Sequence, residues 1–424
     1  MSRLTLDIEK ATPGGRMLAR HDGQVVLVSG AIPGERVSAR LERRARGVLF
    51  ARVEGVVLAS PDRRPVPGDW RCGGNDFAHV TYERQLRLKG EMLQDAFARI
   101  ARIALETPPS VRGSEERGYR TRARLHARGT RLGFYREGTR ELCDAVATGQ
   151  LSAAASAWIG AANSRLASGG LDGVVTVELA ENLTGDERAC HLELAAGLDA
   201  SRFVALADGL VGLSAHGADQ RESVAVAGDP AVEDLIHLAG ANAGPVLRLR
   251  RQPRAFFQGN RFLVEPLVRR VVSLVPAGPV LDLYAGVGLF GLALAVAGCD
   301  EVTAVEGDPL SSADLAHNAR ELRGVRVDGG RVEAFLDAAG PRPEATVVLD
   351  PPRTGLSREA TAGLLRLSPR RIVYVSCDPA TLARDAGALV SAGYDLVALE
   401  AMDLYPTTAH VEAIATFDQP GASG

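Results

Sequence analysis

The sequence predicts an α/β protein in which a doubly wound, mostly parallel sheet follows a small β-barrel and a central α+β region. From about residue 255, apolar strands alternate with helical segments, beginning with VLDLY and GLFGLALAVAG. This alternation is typical of a parallel sheet covered by helices on both faces. Near the N-terminus, short alternating apolar runs are separated by Gly and Pro turns such as TPGG, which indicates a small all-β barrel.

The length of 424 residues predicts two or three domains. We expect boundaries at 1–60 for the barrel, 61–254 for the central α+β domain and 255–420 for the α/β domain. Within the central domain, residues 80–103 have apolar residues at helical spacing. The segments RLGFY, VVTVELA and VALADGLVGLS are predicted to be strands.

Charge is distributed unevenly along the chain. The net charge is only −3, but residues 1–136 carry 26 basic and 15 acidic side chains, and the remainder is acidic. All but two of the basic residues are arginine, which pairs with phosphate and stacks on bases. The front part is therefore a candidate for contact with nucleic acid.

The compartment predicted from the sequence is the cytoplasm. The N-terminal MSRLTLDIEK has acidic residues and no apolar run of the kind a secretory signal needs, and we expect no membrane role. The five cysteines are an odd number and are scattered, so a disulfide framework is not expected.

Candidate ligand-binding residues follow the first two strands of the α/β domain. Glycines at 286 and 288 let backbone amides approach a ligand, and Asp282 can orient that loop. Glu306 ends the second strand about 20 residues later, where a carboxylate can accept hydrogen bonds from ribose hydroxyls. A nucleoside-containing cofactor is favoured over the alternative of a structural turn and a surface acid.

Cys377 follows the predicted strand IVYVS and precedes a helix that begins near PATLARD. A free cysteine is most often a small core residue. At this position, however, helix amides are expected to favour the thiolate. Cys377 is therefore a candidate nucleophile in the crevice beyond the strand ends.

Several motifs together resemble the RNA uracil-C5 methyltransferase family. They are DLYAGVGLF, AVEGD, LDPPRTGL, YVSCDPATLARD and DLYPTTAHVEAIATF, in this order, with FFQGN before the sheet. The N-terminal GAIPGERVSARL and RGVLFARVEGVV resemble the TRAM domain, an OB-like barrel that binds RNA in many members. The likeness implies a Rossmann-like domain that uses S-adenosylmethionine.

The resemblance also implies roles for individual residues. Cys377 matches the cysteine that adds to carbon 6 of uracil, and Glu412 matches the carboxylate that removes the proton from carbon 5. His410 is expected on the same strand face as a packing neighbour and not as the base. The expected cofactor contacts are Gln258, Tyr284, Glu306 and Asp350.

Some positions depart from the family pattern. Leu289 and Arg331 stand where many relatives have polar residues that contact the adenosine. The four positions that hold an iron-sulfur cluster in many relatives read Val66, Cys72, Asn75 and Cys143. Two thiols cannot supply the four ligands of such a cluster. We expect no cluster and no other metal, with Cys72 and Cys143 reduced and near each other.

The implied partner is RNA, with ribosomal RNA favoured over transfer RNA because of the TRAM domain, and the protein is expected to be a monomer. Residues 118–137 interleave arginines with aromatics, a combination that holds phosphates and unstacked bases; the residues concerned are Arg120, Arg122, Arg124, Arg128, Arg131, Tyr119, Phe134 and Tyr135.

Two alternatives to uracil methylation stay open at this stage: cytosine-C5 methylation by the same thiol chemistry, and a non-catalytic RNA-binding protein. Arg353 follows Asp350, Pro351 and Pro352, where S-adenosylmethionine enzymes that methylate amino groups have an aromatic residue. Amino methylation is therefore disfavoured.

Overall fold

The computed structural model describes residues 3–66, 68–167, 172–220, 222–240 and 244–420. The first five strands form a closed barrel in the order β1-β2-β3-β5-β4. They are β1 (Arg3–Ala11), β2 (Met17–His21), β3 (Gln24–Ser29), β4 (Arg36–Ala45) and β5 (Val48–Leu58). The barrel expected from the sequence is thus present, with β2 as a strand that the apolar runs alone did not indicate.

The described residues of the middle of the chain include two α-helices and two sheets. Its elements are α1 (Tyr82–Ala96), β6 (Val111–Arg112), β7 (Arg122–Arg128), β8 (Arg131–Tyr135), β9 (Leu142–Cys143), α2 (Ala153–Ala167), β10 (Val174–Glu181), β11 (Arg188–Leu194), β12 (Gly212–Gly217), β13 (Val224–Gly228), β14 (Val232–His237) and β15 (Val246–Arg251). Seven of these strands form a sheet in the order β13-β12-β11-β10-β7-β8-β9, and β14 pairs with β15.

One strand expected in this region is partly helical. Residues 200–207 form a 3-10 helix that begins with Asp199 accepting a hydrogen bond from the amide of Ser201, and the strand starts only at Gly212. Phe203 and Leu206 are buried by the helical turn. The apolar run VALADGLVGLS therefore covers the end of a helix, a turn and a strand.

The C-terminal part is the predicted doubly wound unit. Its elements are α3 (Val264–Leu274), β16 (Val280–Leu283), α4 (Gly291–Val296), β17 (Val302–Val305), α5 (Pro309–Ala319), β18 (Val325–Asp328), α6 (Val332–Ala338), β19 (Thr346–Leu349), α7 (Arg358–Leu367), β20 (Arg371–Ser376), α8 (Pro379–Ser391), β21 (Asp395–Met402) and β22 (Glu412–Asp418). The sheet has eight strands in the order β18-β17-β16-β19-β20-β22-β21-β6.

Two apolar clusters cover the faces of this sheet. One face packs against α3, α4 and α5, and the other against α6, α7 and α8. The second cluster also contains Leu93, Ala96 and Phe97 from the end of α1 and the π-helical turn after it. Strand β6 pairs in parallel with β21 at the sheet edge. Residues 82–112 lie in the expected central domain, but they complete the α/β unit. The end of α1 packs into its second apolar cluster, and β6 extends its sheet beyond β21.

Cys72 and Cys143 are joined by a disulfide, which corrects the expectation that both are reduced. The expected proximity of the two thiols is confirmed: the amide of Gly73 bonds the carbonyl of Tyr135, and Phe134 pairs with Cys143 between β8 and β9. These contacts bring the Cα atoms of the two cysteines within 5.7 Å, which is in the range of a disulfide. Both cysteines are buried.

Replacing both disulfide cysteines, in Cys72→Ser/Cys143→Ser, should lower the free energy of unfolding under oxidising conditions. The bond closes a loop with a sequence separation of 71 residues. The chain-entropy model gives roughly 4 kcal/mol for a loop of this length. Urea denaturation followed by tryptophan fluorescence measures the difference. Cys299→Ser, at a free cysteine, is the control, and equal denaturation midpoints for the double variant and the wild type would contradict the disulfide.

Candidate active site

A cavity of about 540 Å³ opens at the carboxyl ends of the parallel strands of the eight-stranded sheet. This is the edge at which ligands bind in open α/β sheets. All six site residues expected from the sequence line this cavity: Gln258, Tyr284, Glu306, Asp350, Cys377 and Glu412.

Sheet register explains why three of these residues meet. Leu283 at the end of β16 is aligned with Val305 on β17 and with Leu349 on β19. The residues that directly follow these three strands are Tyr284, Glu306 and Asp350, respectively. Parallel pairing brings the three side chains to one edge from positions up to 66 residues apart.

The nucleophile and the candidate base are adjacent for a similar reason. Strand β22 runs antiparallel to β20, and Ser376 pairs with Ala413. Continuing this register by one residue places Cys377 opposite Glu412. Residues that face each other across an antiparallel pair have neighbouring side chains. His410 lies two residues before β22 begins and not on the strand, and its ring packs edge-on against Tyr405.

The polar groups on the β16–β19 side fit a nucleoside-containing ligand. Glu306 accepts hydrogen bonds from the amides of Gly286 at 2.8 Å and Asp308 at 2.6 Å, which fixes its carboxylate and leaves further lone pairs for hydroxyl donors. Gln258 donates from Nε2 to Asp350 at 3.0 Å. The buried Oε1 of Gln258 has no partner among the described residues, so it is available to a ligand donor.

The loop after β16 is held in an unusual conformation. Tyr284 has a φ of 63°, in the left-handed region that costs energy for a residue with a side chain. Asp282 accepts a hydrogen bond from the amide of Gly291 at 2.7 Å, as expected for a residue that orients this loop. The strained turn places the Tyr284 ring in the wall of the cavity.

The Cys377 thiol is protonated in the free protein, which corrects the expectation of a favoured thiolate. Burial raises the pKa of Cys377 to about 12, the charge of Glu412 also raises it, and Arg353 lowers it. The first amides of α8 do not act on the sulfur because the carboxylate of Asp378 accepts hydrogen bonds from those of Ala380 and Thr381. The residue that follows the cysteine therefore caps the helix.

The two carboxyl groups nearest the thiol also have raised pKa values. Burial raises the pKa of Glu412 well above its usual range, and the charge of Asp350 adds to this while Arg353 opposes it. Burial likewise raises the pKa of Asp350, against the hydrogen bond from Gln258. The Oε1 atom of Glu412 is buried and has no partner in the described part of the chain. A carboxyl group in this state has a high affinity for a proton once it is ionised.

Further residues line the cavity that were not predicted to be catalytic or cofactor-binding; they include Arg122, which the sequence indicated only as an RNA contact, and Arg254, Phe256, Asp308, Ser311, Arg353 and Tyr405. Arg353 lies within the LDPPRTGL motif and Tyr405 within DLYPTTAHVE, so the motifs marked them without assigning a role. Arg122 and Arg254 come from the region before the α/β domain. Together with the exposed ring of Phe256, they form a basic and aromatic mouth of the cavity.

The aromatic residues of the 118–137 segment correct one expectation. Tyr119 and Phe134 are buried, so they cannot stack on RNA bases. Tyr135 instead stacks on His126, with ring centroids 3.7 Å apart. Arg120 bonds the buried Gln150 and lies over the Phe134 ring, so it is structural. The arginines at 124, 128 and 131 remain exposed.

The two positions that depart from the family pattern lie in different surroundings. Leu289 is buried in the apolar cluster beside α3 and α4. Arg331 is mostly exposed and its guanidinium lies 3.6 Å from Glu333. Among the residues that the structure describes, no group of three or more His, Cys, Asp or Glu side chains is arranged to hold a metal ion. No helix in the described ranges is long and apolar enough to cross a membrane.

Comparison with known proteins identifies the family. Residues 2–53 match the TRAM domain, and residues 342–418 match the family described as tRNA (Uracil-5-)-methyltransferase. A protein of Pseudomonas putida named 23S rRNA (uracil(1939)-C(5))-methyltransferase RlmD is 34% identical, over 97% of this chain and 93% of its own length. This chain belongs to the RNA uracil-C5 methyltransferase family.

A further relative and a solved structure are also similar to this chain. An uncharacterized RNA methyltransferase of Streptomyces avermitilis is 32% identical, over 99% of this chain and 98% of its own length. The crystal structure of Pyrococcus abyssi tRNA (uracil-54, C5)-methyltransferase in complex with S-adenosyl-L-homocysteine has the same fold, with a TM-score of 0.74 and 22% identity over 97% of this chain and 99% of that one. As a uracil-C5 methyltransferase the protein depends on S-adenosylmethionine, and the free Gln258 oxygen and the fixed Glu306 carboxylate fit that molecule.

Asp282→Asn should stabilise the protein in a pH-dependent way. Burial raises the pKa of Asp282 from its ordinary value of 3.8 to about 7, so the folded state binds this proton more tightly than the unfolded state does. The contribution of Asp282 to the wild-type free energy of unfolding therefore falls as the pH rises from about 4 to about 7. The asparagine lacks this titration and can still accept from the Gly291 amide. Its advantage in free energy of unfolding should be absent near pH 4, grow up to about pH 7 and then stay constant.

Urea denaturation at several pH values measures this advantage. Asp337→Asn is the control because Asp337 is exposed. A difference between Asp282→Asn and wild type that does not change between pH 4 and pH 8 would contradict the raised pKa.

Proposed function

We propose that this protein transfers a methyl group from S-adenosylmethionine to carbon 5 of a uridine in ribosomal RNA, with Cys377 as nucleophile and Glu412 as base. One observation carries the proposal: a thiol and a buried carboxyl group, whose Oε1 has no partner among the described residues, lie opposite each other in the cavity that also contains Gln258, Glu306 and Asp350. Methylation of an unreactive pyrimidine carbon needs both groups.

Cys377 activates the ring by addition to carbon 6. The sulfur–carbon bond forms, the electrons of the C5–C6 double bond move towards the C4 carbonyl oxygen to give an enolate, and the thiol proton passes to solvent water. Because burial holds the thiol neutral in the free protein, the positive charge of Arg353, which lowers the pKa of Cys377, favours the ionised sulfur in the reaction. S-adenosylmethionine supplies an electrophilic methyl group for carbon 5.

Glu412 accepts the proton of carbon 5 after methylation. The electrons of that C–H bond restore the C5–C6 double bond as the bond between sulfur and carbon 6 breaks. The free Oε1 atom of Glu412 can accept this proton without breaking another hydrogen bond of the described residues. The high pKa of this carboxyl group makes the ionised form a strong base.

We further propose that the protein acts as a monomer in the cytoplasm. Ribosomal RNA is favoured by the TRAM barrel and by the name of the Pseudomonas putida relative. The uridine has to leave its stack to reach Cys377, so an unpaired or loop uridine is the expected target. Arg122, Arg254 and Phe256 at the cavity mouth suit the phosphates and bases that flank it.

RNA with tritium on uracil carbon 5 tests the roles of the two residues, because release of tritium requires the whole reaction. Cys377→Ala should release none, because it cannot form the bond to carbon 6. Glu412→Gln should release tritium at least about a hundredfold more slowly, in line with the loss of a general base, and should accumulate a covalent protein–RNA adduct. Gel electrophoresis under denaturing conditions detects the adduct.

Cys299→Ala is the matched control for loss of a free thiol and should release tritium at the wild-type rate. Full activity of Cys377→Ala would overturn the proposal. RNA binding without tritium release by the wild type would favour a non-catalytic RNA-binding protein. Release from labelled cytosine alone would favour cytosine-C5 methylation.

A further inference from the structure

The segment that joins β21 to β22, residues 403–411, carries one cavity residue and leads into another. Tyr405 lies in the wall of the cavity, and Glu412 follows the segment directly. Most of the segment is buried, and Thr407 has a φ of 63°. A buried segment without regular structure needs outside partners for its backbone polar groups.

Most of those partners come from residues more than 280 positions earlier in the chain, and Asn260 donates to the carbonyls of Asp403 and Leu404. The amide of Phe77 donates to the carbonyl of Thr407 at 2.7 Å, and the Thr407 hydroxyl donates to the carbonyl of Gly74 at 2.9 Å. The carboxylate of Asp76 accepts from the amide of Ala409 at 3.2 Å. The segment is thus held by the loop that begins at the disulfide residue Cys72.

Helix α1 holds the same segment through two buried side chains. Gln85 accepts from the amide of Thr407 at 2.9 Å. Lys89 donates to the carboxylate of Asp403 and, at 3.0 Å, to the carbonyl of Tyr405. A single ammonium group therefore fixes the first and third residues of the segment.

The Lys89–Asp403 pair is unusual in its burial. Both side chains are 0% exposed. Removing two charges from water has a large cost, so a fully buried ion pair is weak evidence of added stability and is better explained by a need for one defined geometry. Lys89 is also one of only two lysines in an arginine-rich chain. A compact ammonium group can bond two acceptors in this enclosed site, whereas a planar guanidinium requires more space.

We propose that Lys89 is a positioning residue for methyl transfer: by fixing the 403–411 segment, it sets the position of the Glu412 carboxyl group relative to the substrate. This rests on the function proposed above. Cys377 is held differently, by β20 in the centre of the sheet and by the start of α8. Loss of Lys89 should therefore impair proton removal more than thiol addition.

Two RNA substrates separate these steps. RNA with tritium on uracil carbon 5 reports the complete reaction, including proton removal by Glu412. RNA with 5-fluorouracil reports only the steps up to methyl transfer, because fluorine cannot leave as a proton and the adduct with Cys377 persists. The ratio of the two rates measures the proton-removal step and does not change if a variant is merely less folded.

Lys89→Met should lower the rate of tritium release by about tenfold or more, because small misplacements of a reacting group cost up to about a hundredfold. Adduct formation with 5-fluorouracil RNA should stay within about twofold of the wild type. Lys10→Met is the matched control, since Lys10 also forms an ion pair with a carboxylate, that of Asp95 on α1, and its rate ratio should equal that of the wild type.

The variant Lys89→Met/Asp403→Leu provides a second test in case Lys89→Met alone does not fold. It removes both charges, so no buried charge is left unpaired, and replacement of buried ion pairs by apolar residues is often tolerated. It still lacks the bond to the Tyr405 carbonyl and should show the same lowered ratio. Thermal melting followed by circular dichroism confirms that it is folded.

The outcomes distinguish the two proposals. Absence of both adduct and tritium release in the wild type would overturn the proposed function itself. With an active wild type, an unchanged ratio of the two rates in the folded double variant would overturn the positioning role of Lys89. A lowered ratio in the folded double variant supports it.

Discussion

The active site depends on the register of the eight-stranded sheet. Parallel pairing of β16 with β17 and β19 aligns the cofactor-side residues, and antiparallel pairing of β20 with β22 places Cys377 opposite Glu412. A shift by one residue moves every side chain of a strand to the opposite face. The strands β16, β17 and β19 are buried on both faces, so the register is held by how their side chains pack into the apolar clusters on each face.

Burial then sets the chemistry of the side chains that the register brings together. The thiol of Cys377 and the carboxyl groups of Asp350 and Glu412 all have raised pKa values, and desolvation is the first cause in each case. Desolvation therefore disfavours charge on these three groups, and the positive charge of Arg353 opposes this effect at Cys377 and Glu412.

The parts of this arrangement that local sequence encodes were predictable, and the parts that arise from distant contacts were not. The alternation of strands and helices and the motifs around Cys377, Glu412 and Asp350 led to the fold and to the six residues that line the cavity. The capping of α8 by Asp378 and the depth of burial invert the expected ionisation of Cys377. Periodicity placed Lys89 on an amphipathic helix but could not show that Asp403, which is 314 residues away, is its partner.

Helix α1 lies between two cores that are made at different times. Leu88 and Met92 pack with the barrel, which is synthesised first. Leu93 and Ala96, with Phe97 directly after the helix, pack against the C-terminal sheet, which is synthesised last. Part of the helix therefore has its binding surface only after the ribosome has added some 300 further residues. Contacts of such sequence separation form slowly. Until then the helix presents an apolar face and a lysine without its carboxylate, which are features that chaperones bind in incompletely folded chains.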